Sequence, residues 1–578
     1  VSSKDAKVET NAWDLYRECV FVLAEHGALE HCVAIEGRRR EGHQADIRLV
    51  FADRSWLQSE HGSNVIEAFQ GRPLIDSASR RKSTIHIRFS DKALADLERR
   101  LAAQELAGMN AEDAFADQRV TISFVGPNTN KALHVGHLRN IVIGEALASA
   151  CAAAGTVVRR HNLVGDIGRR VGEAMAGYQS FYRDKLPEDE GLTGDRFVEL
   201  CTGEYSRELA RSVSGQQEAD PNAEERKAMG DFADRLMSEW LQGSTQEMQL
   251  WEQMREWVLD SHRMTLARLG VAMDHQDFES EAIPRAIALI EEGLESGILE
   301  REKTGAVVYR TERSEYPTMV LIREDGFPTE HGRLFGVYDQ ILEDLAAGEP
   351  YIEVAGIEWQ PSITVLCELL GRLRPGPRNE TDIRVFHASV TSADGEKIGS
   401  SVGGVVWIDE LLDVVAASPA VSDLGDLSEG TVSRDELADI LVRGALLCTP
   451  AFRSFPFAQE ALIEGGSGSG WTIAEAWCRA QLSKEPDEDF TPVARTAVIQ
   501  SQLYRRSLRR AVEKRDVTCL ARYLLNLSEA FLAAADPGPA AAPVMARVLN
   551  SLGFLAGDSS AGVLEGIDPV AAQRKVEA

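Results

Sequence analysis

Residues 127–137 read PNTNKALHVGH and lie between an apolar run and a segment with helical spacing. His134 and His137 are three apart, so they share one face at the first turn of that helix. A helix N-terminus offers unpaired N–H groups and positive potential, a natural place for phosphate. Gly136, between the imidazoles, would let a flat base approach the backbone. Lys131 precedes the helix on a loop that could fold back over the same phosphates. A capping histidine beside a packing glycine explains a bare H-x-G-H equally well; the placement after a buried strand favours chemistry. A second constellation, GEKIGSSVGG at 395–404, sits between a strand and a helix. Lys397 in a loop of Gly and Ser suits a mobile phosphate clamp, though such residues make ordinary loops too.

The elements that would position these groups read as follows. VTISFVG (120–126) is a strand buried on both faces, 134–155 a helix stopped by Gly155, and TVVRRHNLVG the next strand. Strand, helix, strand is the seed of a parallel sheet with a ligand crevice at its carboxyl edge. Residues 185–260 read as an acidic helical insertion, with DEGLTGD and SGQQEADPNAEE as solvated loops. The parallel-sheet signal resumes at 307–311, 318–324, 351–356 and 382–390. Upstream, residues 1–115 read as a small α+β domain. It has a helix over 10–28, a strand at 83–90 with Ile85, Ile87 and Phe89 on one face, and a helix capped by Asp91. After about 425 no strand pattern remains and the chain reads as a helical bundle, with GGSGSG (465–470) as a flexible connector.

The 578 residues are enough for three or four domains. With 44% apolar and 26% charged residues the composition is that of a globular protein and excludes collagen-like or wholly disordered chains. The net charge of −29 repels polyanions, so a nucleic acid must be met by local basic patches; no DNA partner is expected. The eight cysteines show no C-x-x-C, so reduced thiols are expected and no metal site. VSSKDAKVET lacks a signal-peptide pattern and no apolar run is long enough to span a bilayer, which points to a cytoplasmic protein without a membrane partner.

Together the two constellations resemble the HIGH and KMSKS signatures of class I aminoacyl-tRNA synthetases. SFVGPNTNKALHVGHLRNIVIGEALA, NLVGDIGRRVG and DGEKIGSSVGGVVWIDELLD narrow the resemblance to the arginyl type. LADILVRGALL and LARYLLNLSEAF resemble that family's helical anticodon-binding domain, and STIHIRFSDKALADLERRL the end of its N-terminal added domain. The resemblance implies a Rossmann-type α/β catalytic domain at 116–425, with the small α+β domain before it and an all-α bundle at 426–578. It implies activation of an amino acid by ATP with magnesium, then transfer to tRNA, by a monomer. Lys131, His134, His137 and Lys397 would be catalytic, and Gly136, Trp359, Ile398, Ser400 and Ser401 would meet ATP. Gly126, Pro127, Asn128, His137, Glu330, Leu334 and Gln360 would form the amino-acid site, Asn128 holding its main-chain end. Ser400 stands where the signature's second lysine belongs, a loss that in the family goes with a lysine just before the histidines, here Lys131.

The departures concern the substrate. The family reads arginine with a tyrosine and an aspartate four residues apart, shortly after an Asp-Gly pair. Asp325-Gly326 is present, but the two positions are Glu330 and Leu334. A guanidinium against Leu334 loses a charge-assisted bond worth about 1.5–3 kcal/mol. Trp359 has three readings: stacking on adenine, filling the vacated pocket, or an ordinary core residue. Arg38-Arg39-Arg40, Arg80-Arg81-Lys82 and the group Arg505, Arg506, Arg509, Arg510, Lys514 and Arg515 are either solvated faces or RNA contacts. Alanines at 533–535, where the family usually keeps an aromatic, and an unusual chain end weigh against anticodon reading. Three functions are therefore compared: a tRNA-charging enzyme with an altered pocket, a tRNA-independent amide or ester ligase using the same adenylate chemistry, and a non-catalytic RNA- or partner-binding relic.

Overall fold

The computed structural model describes residues 15–37, 45–102, 115–116, 118–214, 223–346, 348–375, 382–392, 395, 406–482, 495–501, 503–533 and 541–554. The first region pairs β1 (Cys32–Gly37), β2 (Ile47–Phe51), β3 (Ile75–Arg81) and β4 (Thr84–Phe89) as an antiparallel sheet in the order β1-β2-β4-β3. Ile85, Ile87 and Phe89 of β4 alternate inward and are buried, as the period of two requires. In the helix that follows, Asp91 is already inside, and the Ser90 hydroxyl accepts the Ala93 N–H.

Next come β5 (Arg119–Ser123), β6 (Val157–Val164) and β7 (His275–Phe278), then β8 (Glu300–Arg301), β9 (Val307–Arg310) and β10 (Thr318–Ile322), and finally β11 (Tyr351–Gly356) and β12 (Asp382–His387). Five of them form an all-parallel sheet in the order β12-β11-β5-β6-β7. The order runs outward in both directions from β5, so the chain reverses beside β5 and a crevice opens at the carboxyl ends of β5 and β11. This is the Rossmann-type arrangement. The sequence reading needs correcting at β9 and β10, which pair antiparallel in a separate three-stranded sheet with β8. Apolar four-residue runs do not reveal which partner they will find. It also passed over β7, whose HQDF carries little β pattern.

The helix Val135–Ala153 is buried nearly all round, consistent with a position between the sheet and the C-terminal helices. Gly144 is required there: a Cβ would lie 2.3 Å from the Phe124 ring. Glu145 takes two bonds from Arg160, at 2.8 and 2.9 Å, fixing this helix to β6. Arg139, fully buried, donates to the carbonyls of Ala388 (2.8 Å) and Pro450 (3.1 Å). The insertion forms the helices Gly194–Ser214, Ala223–Leu241 and Thr245–Arg268. DEGLTGD is not wholly solvated, because Asp195 is buried and takes an O–H from Thr193.

Helices dominate after Arg434, among them Arg434–Cys448, Ser469–Gln481, Tyr504–Lys514, Thr518–Leu532 and Ala541–Asn550. One strand pair does occur there: Phe455–Pro456 adds to Val390–Thr391. Gly470 belongs to a helix rather than a connector, pressed so closely on Leu441 that a Cβ would lie 2.2 Å from its carbonyl oxygen. On Tyr504–Lys514 the side chains of Tyr504, Leu508 and Ala511 are buried, and Arg506, Arg509, Arg510 and Lys514 are exposed. Arg38–Arg40 and the alanines at 534 and 535 lie outside the described residues. None of the described helices is long and apolar enough to cross a membrane.

Candidate active site

His134 is the N-cap of the helix Val135–Ala153, and its Nδ1 accepts the Gly136 N–H at 3.0 Å. His137 reaches back, its Nδ1 accepting the His134 N–H at 3.2 Å. The two imidazoles thus cap one helix reciprocally, the work usually done by Ser and Glu. An Nδ1 that accepts leaves the proton of a neutral ring on Nε2. Burial holds both rings neutral, lowering His134 to about 4 and His137 well below the usual histidine range; Lys131 adds to both effects. The site therefore has two Nε2–H donors that carry no charge, with ring centroids 4.0 Å apart.

Lys131 stands on a loop fixed by groups that spacing did not reveal. The Lys131 carbonyl is 3.0 Å from His262 Nε2, and the Ala132 N–H donates to Glu199 at 3.4 Å. Trp407 donates its indole N–H to the same Glu199 oxygen at 3.1 Å. The backbone beyond also closes on the motif: Val135 N–H donates to Val406 and Ile408 N–H to Leu133. Lys397, Ile398, Ser400 and Ser401 lie outside the described residues. The chain that follows them is thus stitched directly to the histidine motif.

A cavity of about 370 Å³ opens at the carboxyl ends of β5, β6, β7, β11 and β12. Gly126, Asn128, Lys131, His134, Gly136, His137, Glu330, Leu334 and Trp359 all line it. Pro127 and Gln360 do not: Pro127 is buried and its carbonyl accepts the Gly165 N–H, and Gln360 is exposed. After β5 the chain turns through two left-handed residues, Val125 (φ 78°) and Gly126 (φ 59°). Such a φ at a β-branched residue is strained. Asn140 holds the turn by donating to the Val125 carbonyl, and His387 lies 3.2 Å from the Asn140 oxygen. Asn128 bridges to Gly165, where a Cβ would come within 2.2 Å of the Asn128 side-chain oxygen.

The far wall is the helix Glu330–Asp344, capped by Thr329. Glu330, Leu334 and Tyr338 follow one another at single turns and all face the cavity. The Glu330 carboxylate makes no hydrogen bond to a described residue. Burial raises its pKa, and Arg333 and Lys131 pull the other way. Tyr338 donates to Glu353 at 2.9 Å, and Arg384 pairs with the same carboxylate at 3.0 Å. Arg333 pairs with Glu279 at 2.6 Å, yet burial pushes Glu279 up to about 7 against that pull. Glu279, Tyr338 and Glu353 were absent from the sequence reading. Only the helical period from Glu330 could have flagged one of them, Tyr338.

This arrangement offers neutral donors and a lysine on one side of a crevice and a carboxylate–leucine–tyrosine stripe on the other. Residues 101–330 match the family of class I tRNA synthetases (R), catalytic domain. The chain is 26% identical over 441 residues to an arginine–tRNA ligase of Amoebophilus asiaticus, covering 72% of this chain and 73% of that one. It is 31% identical over 327 residues to that of Treponema denticola, covering 56% and 51%. The arginyl-tRNA synthetase of Thermus thermophilus superposes with a TM-score of 0.64 at 19% identity, over 94% of this chain and 99% of that one. That of Plasmodium falciparum superposes with a TM-score of 0.63 at 13% identity, over 95% and 99%. The fold, the signature residues and these relatives point the same way: the chain is similar to the class I aminoacyl-tRNA synthetases of the arginyl type, and residues 101–330 match that family's catalytic domain.

Proposed function

We propose that the protein activates an amino acid with ATP and charges a tRNA, with a side-chain pocket altered from the arginine-reading one. The observation that carries this is the reciprocal histidine cap beside Lys131, facing Glu330 and Leu334 across one cavity. In the first step a carboxylate oxygen attacks the α-phosphorus, and the bond to the bridging oxygen breaks as pyrophosphate leaves. The protein forms no covalent bond; it aligns two anions and meets the charge that grows on the phosphates. His134 and His137 serve as Nε2–H donors there, since neither ring has an Nδ1 or a basicity suited to taking a proton. Lys131 neutralises charge from the loop, with Lys397 as its partner. Asn128 holds the main-chain end of the amino acid. In the second step a tRNA ribose hydroxyl attacks the acyl carbon and AMP departs.

Magnesium would be held by the triphosphate and would supply charge neutralisation there; Glu279 is committed to Arg333, and Glu353 to Arg384 and Tyr338. The regions 1–115, 116–425 and 426–578 are read as the added, catalytic and anticodon-binding-like domains. The reading is tested by amino-acid-dependent exchange of pyrophosphate into ATP. The assay covers arginine, its analogues and the other amino acids, with and without tRNA. Exchange with no amino acid under either condition sinks the enzyme reading; activation with no tRNA acylation sinks the tRNA acceptor.

A further inference from the structure

Three ligand-type side chains meet on one face of the parallel sheet, and none of them belongs to the nucleotide cavity. His161 on β6 and His275 on β7 are register partners in neighbouring parallel strands, so their side chains leave the same face. Asp277 follows His275 by two residues and shares it. The ligating atoms of all three lie within 4.8 Å of one another. His161 Nε2 is 2.8 Å from one Asp277 oxygen, and His275 Nε2 is 3.4 Å from the other. Donors around one tetrahedral ion stand about 3.3 Å apart when the bonds are about 2.0 Å long. A plain His–Asp hydrogen bond needs only two of these groups, yet His275 turns to the remaining oxygen of the same carboxylate.

The surroundings also suit a metal. The Ser123 hydroxyl lies 2.9 Å from His161 Nδ1, so it can accept that N–H and leave the Nε2 lone pair for an ion. Gln340 donates to an Asp277 oxygen at 3.1 Å, which sets the orientation of the carboxylate. The side chains of His161 and Asp277 are 2% and 8% exposed, and that of His275 is 39% exposed. An ion therefore has a way in, and a water has a coordination position. We propose that His161, His275 and Asp277 bind one divalent transition-metal ion of the zinc class, separate from the magnesium that accompanies ATP. Two imidazoles and one carboxylate select such an ion over magnesium, which prefers oxygen. Bound there, it joins β6 to β7 and, through Gln340, the helix that carries Glu330 and Leu334.

The test uses the full-length, chelator-treated, nucleotide-free protein, titrated with Co²⁺ and followed by visible absorption. The expected result is one ion per chain with the strong absorption of four- or five-coordinate cobalt. Equimolar Zn²⁺ should bleach it and excess Mg²⁺ should not. His275→Ala and Asp277→Asn should each weaken binding by ~100-fold or more, with circular dichroism unchanged. If His275→Ala is unstable, His275→Gln replaces it. His26→Ala, at an exposed histidine elsewhere, should bind as the parent does. Absorption that stays weak, or that responds alike to His275→Ala and His26→Ala, would show the trio to be a hydrogen-bond network only and overturn the proposal.

Discussion

At the scale of single residues, His134 caps its helix and, in the proposed reaction, also donates from Nε2, and one substitution can separate the two. Asn is also a good N-cap, so His134→Asn should keep the cap while removing the Nε2–H donor. The expected outcome is stability within about 0.5 kcal/mol of the parent, with single-turnover activation slowed ~100-fold or more. His134→Ala should add a loss of about 1 kcal/mol in urea unfolding. The depressed His134 pKa also has a consequence for pH. The unfolded ring, near 6.5, binds protons that the folded ring, at about 4, does not. The stabilisation from a neutral His134 is therefore complete above about pH 6.5 and is lost as pH falls toward 4. Glu279, raised to about 7, acts in the opposite sense, so the test is the difference between parent and His134→Asn. The melting temperature of the parent should fall relative to that of His134→Asn as pH drops from 7 to 5; parallel curves would place the ring's titration elsewhere. The proposed altered pocket is tested at two further residues. Glu330→Tyr with Leu334→Asp should shift exchange toward arginine. Strong arginine-dependent exchange in the parent, abolished by Glu330→Gln, would mean that Glu330 already holds the guanidinium.

At the scale of elements, the helix Glu330–Asp344 sits so close to β10 that a Cβ on Gly332 would lie 2.2 Å from the Leu321 carbonyl oxygen. Gly332→Ala must move the helix, at a cost of about 1–3 kcal/mol. The KM for the amino acid should rise while that for ATP changes little, because Glu330 and Leu334 ride on this helix and His134 and Gly136 do not. Equal changes in both would point to general loosening. Much of this layer could be read from the chain. The β5–helix–β6 unit is continuous in sequence, with Gly155 closing the helix and apolar runs on either side. β7 was hidden because HQDF, at the sheet edge, has polar groups that pair with one another rather than an apolar signature. β9 and β10 look like parallel-sheet strands, since burial on one face leaves the same residues whichever partner supplies the hydrogen bonds. Glu199, His262 and Trp407 were illegible for a simpler reason: they act on the Lys131 loop from 68, 131 and 276 residues away.

At the scale of the whole molecule, a chain of net charge −29 exposes a basic face on Tyr504–Lys514. If that face meets the tRNA backbone, replacing Arg506, Arg509 and Arg510 by Ala should weaken tRNA binding and flatten its salt dependence, the slope of log K against log salt falling by about 0.7–0.9 per lost contact. Pyrophosphate exchange at saturating tRNA should survive, and so should the fold, since Leu508 and Ala511 keep the buried side of the helix. An unchanged salt slope would return those arginines to solvent. The connection through Arg139 bears on modularity. Its guanidinium binds carbonyls at Ala388 and Pro450, and Val135 and Leu138 on the same helix pack against Val442, Leu446 and Phe455. The signature helix is therefore a shared spine, packed against the C-terminal helices as well as against the sheet. Cutting the chain before Arg434 would strip the buried Arg139 of its acceptors at Pro450 and Ala451 and leave an apolar seam open to water. The catalytic region is thus not a detachable cassette, and the melting of the two parts should be one cooperative event.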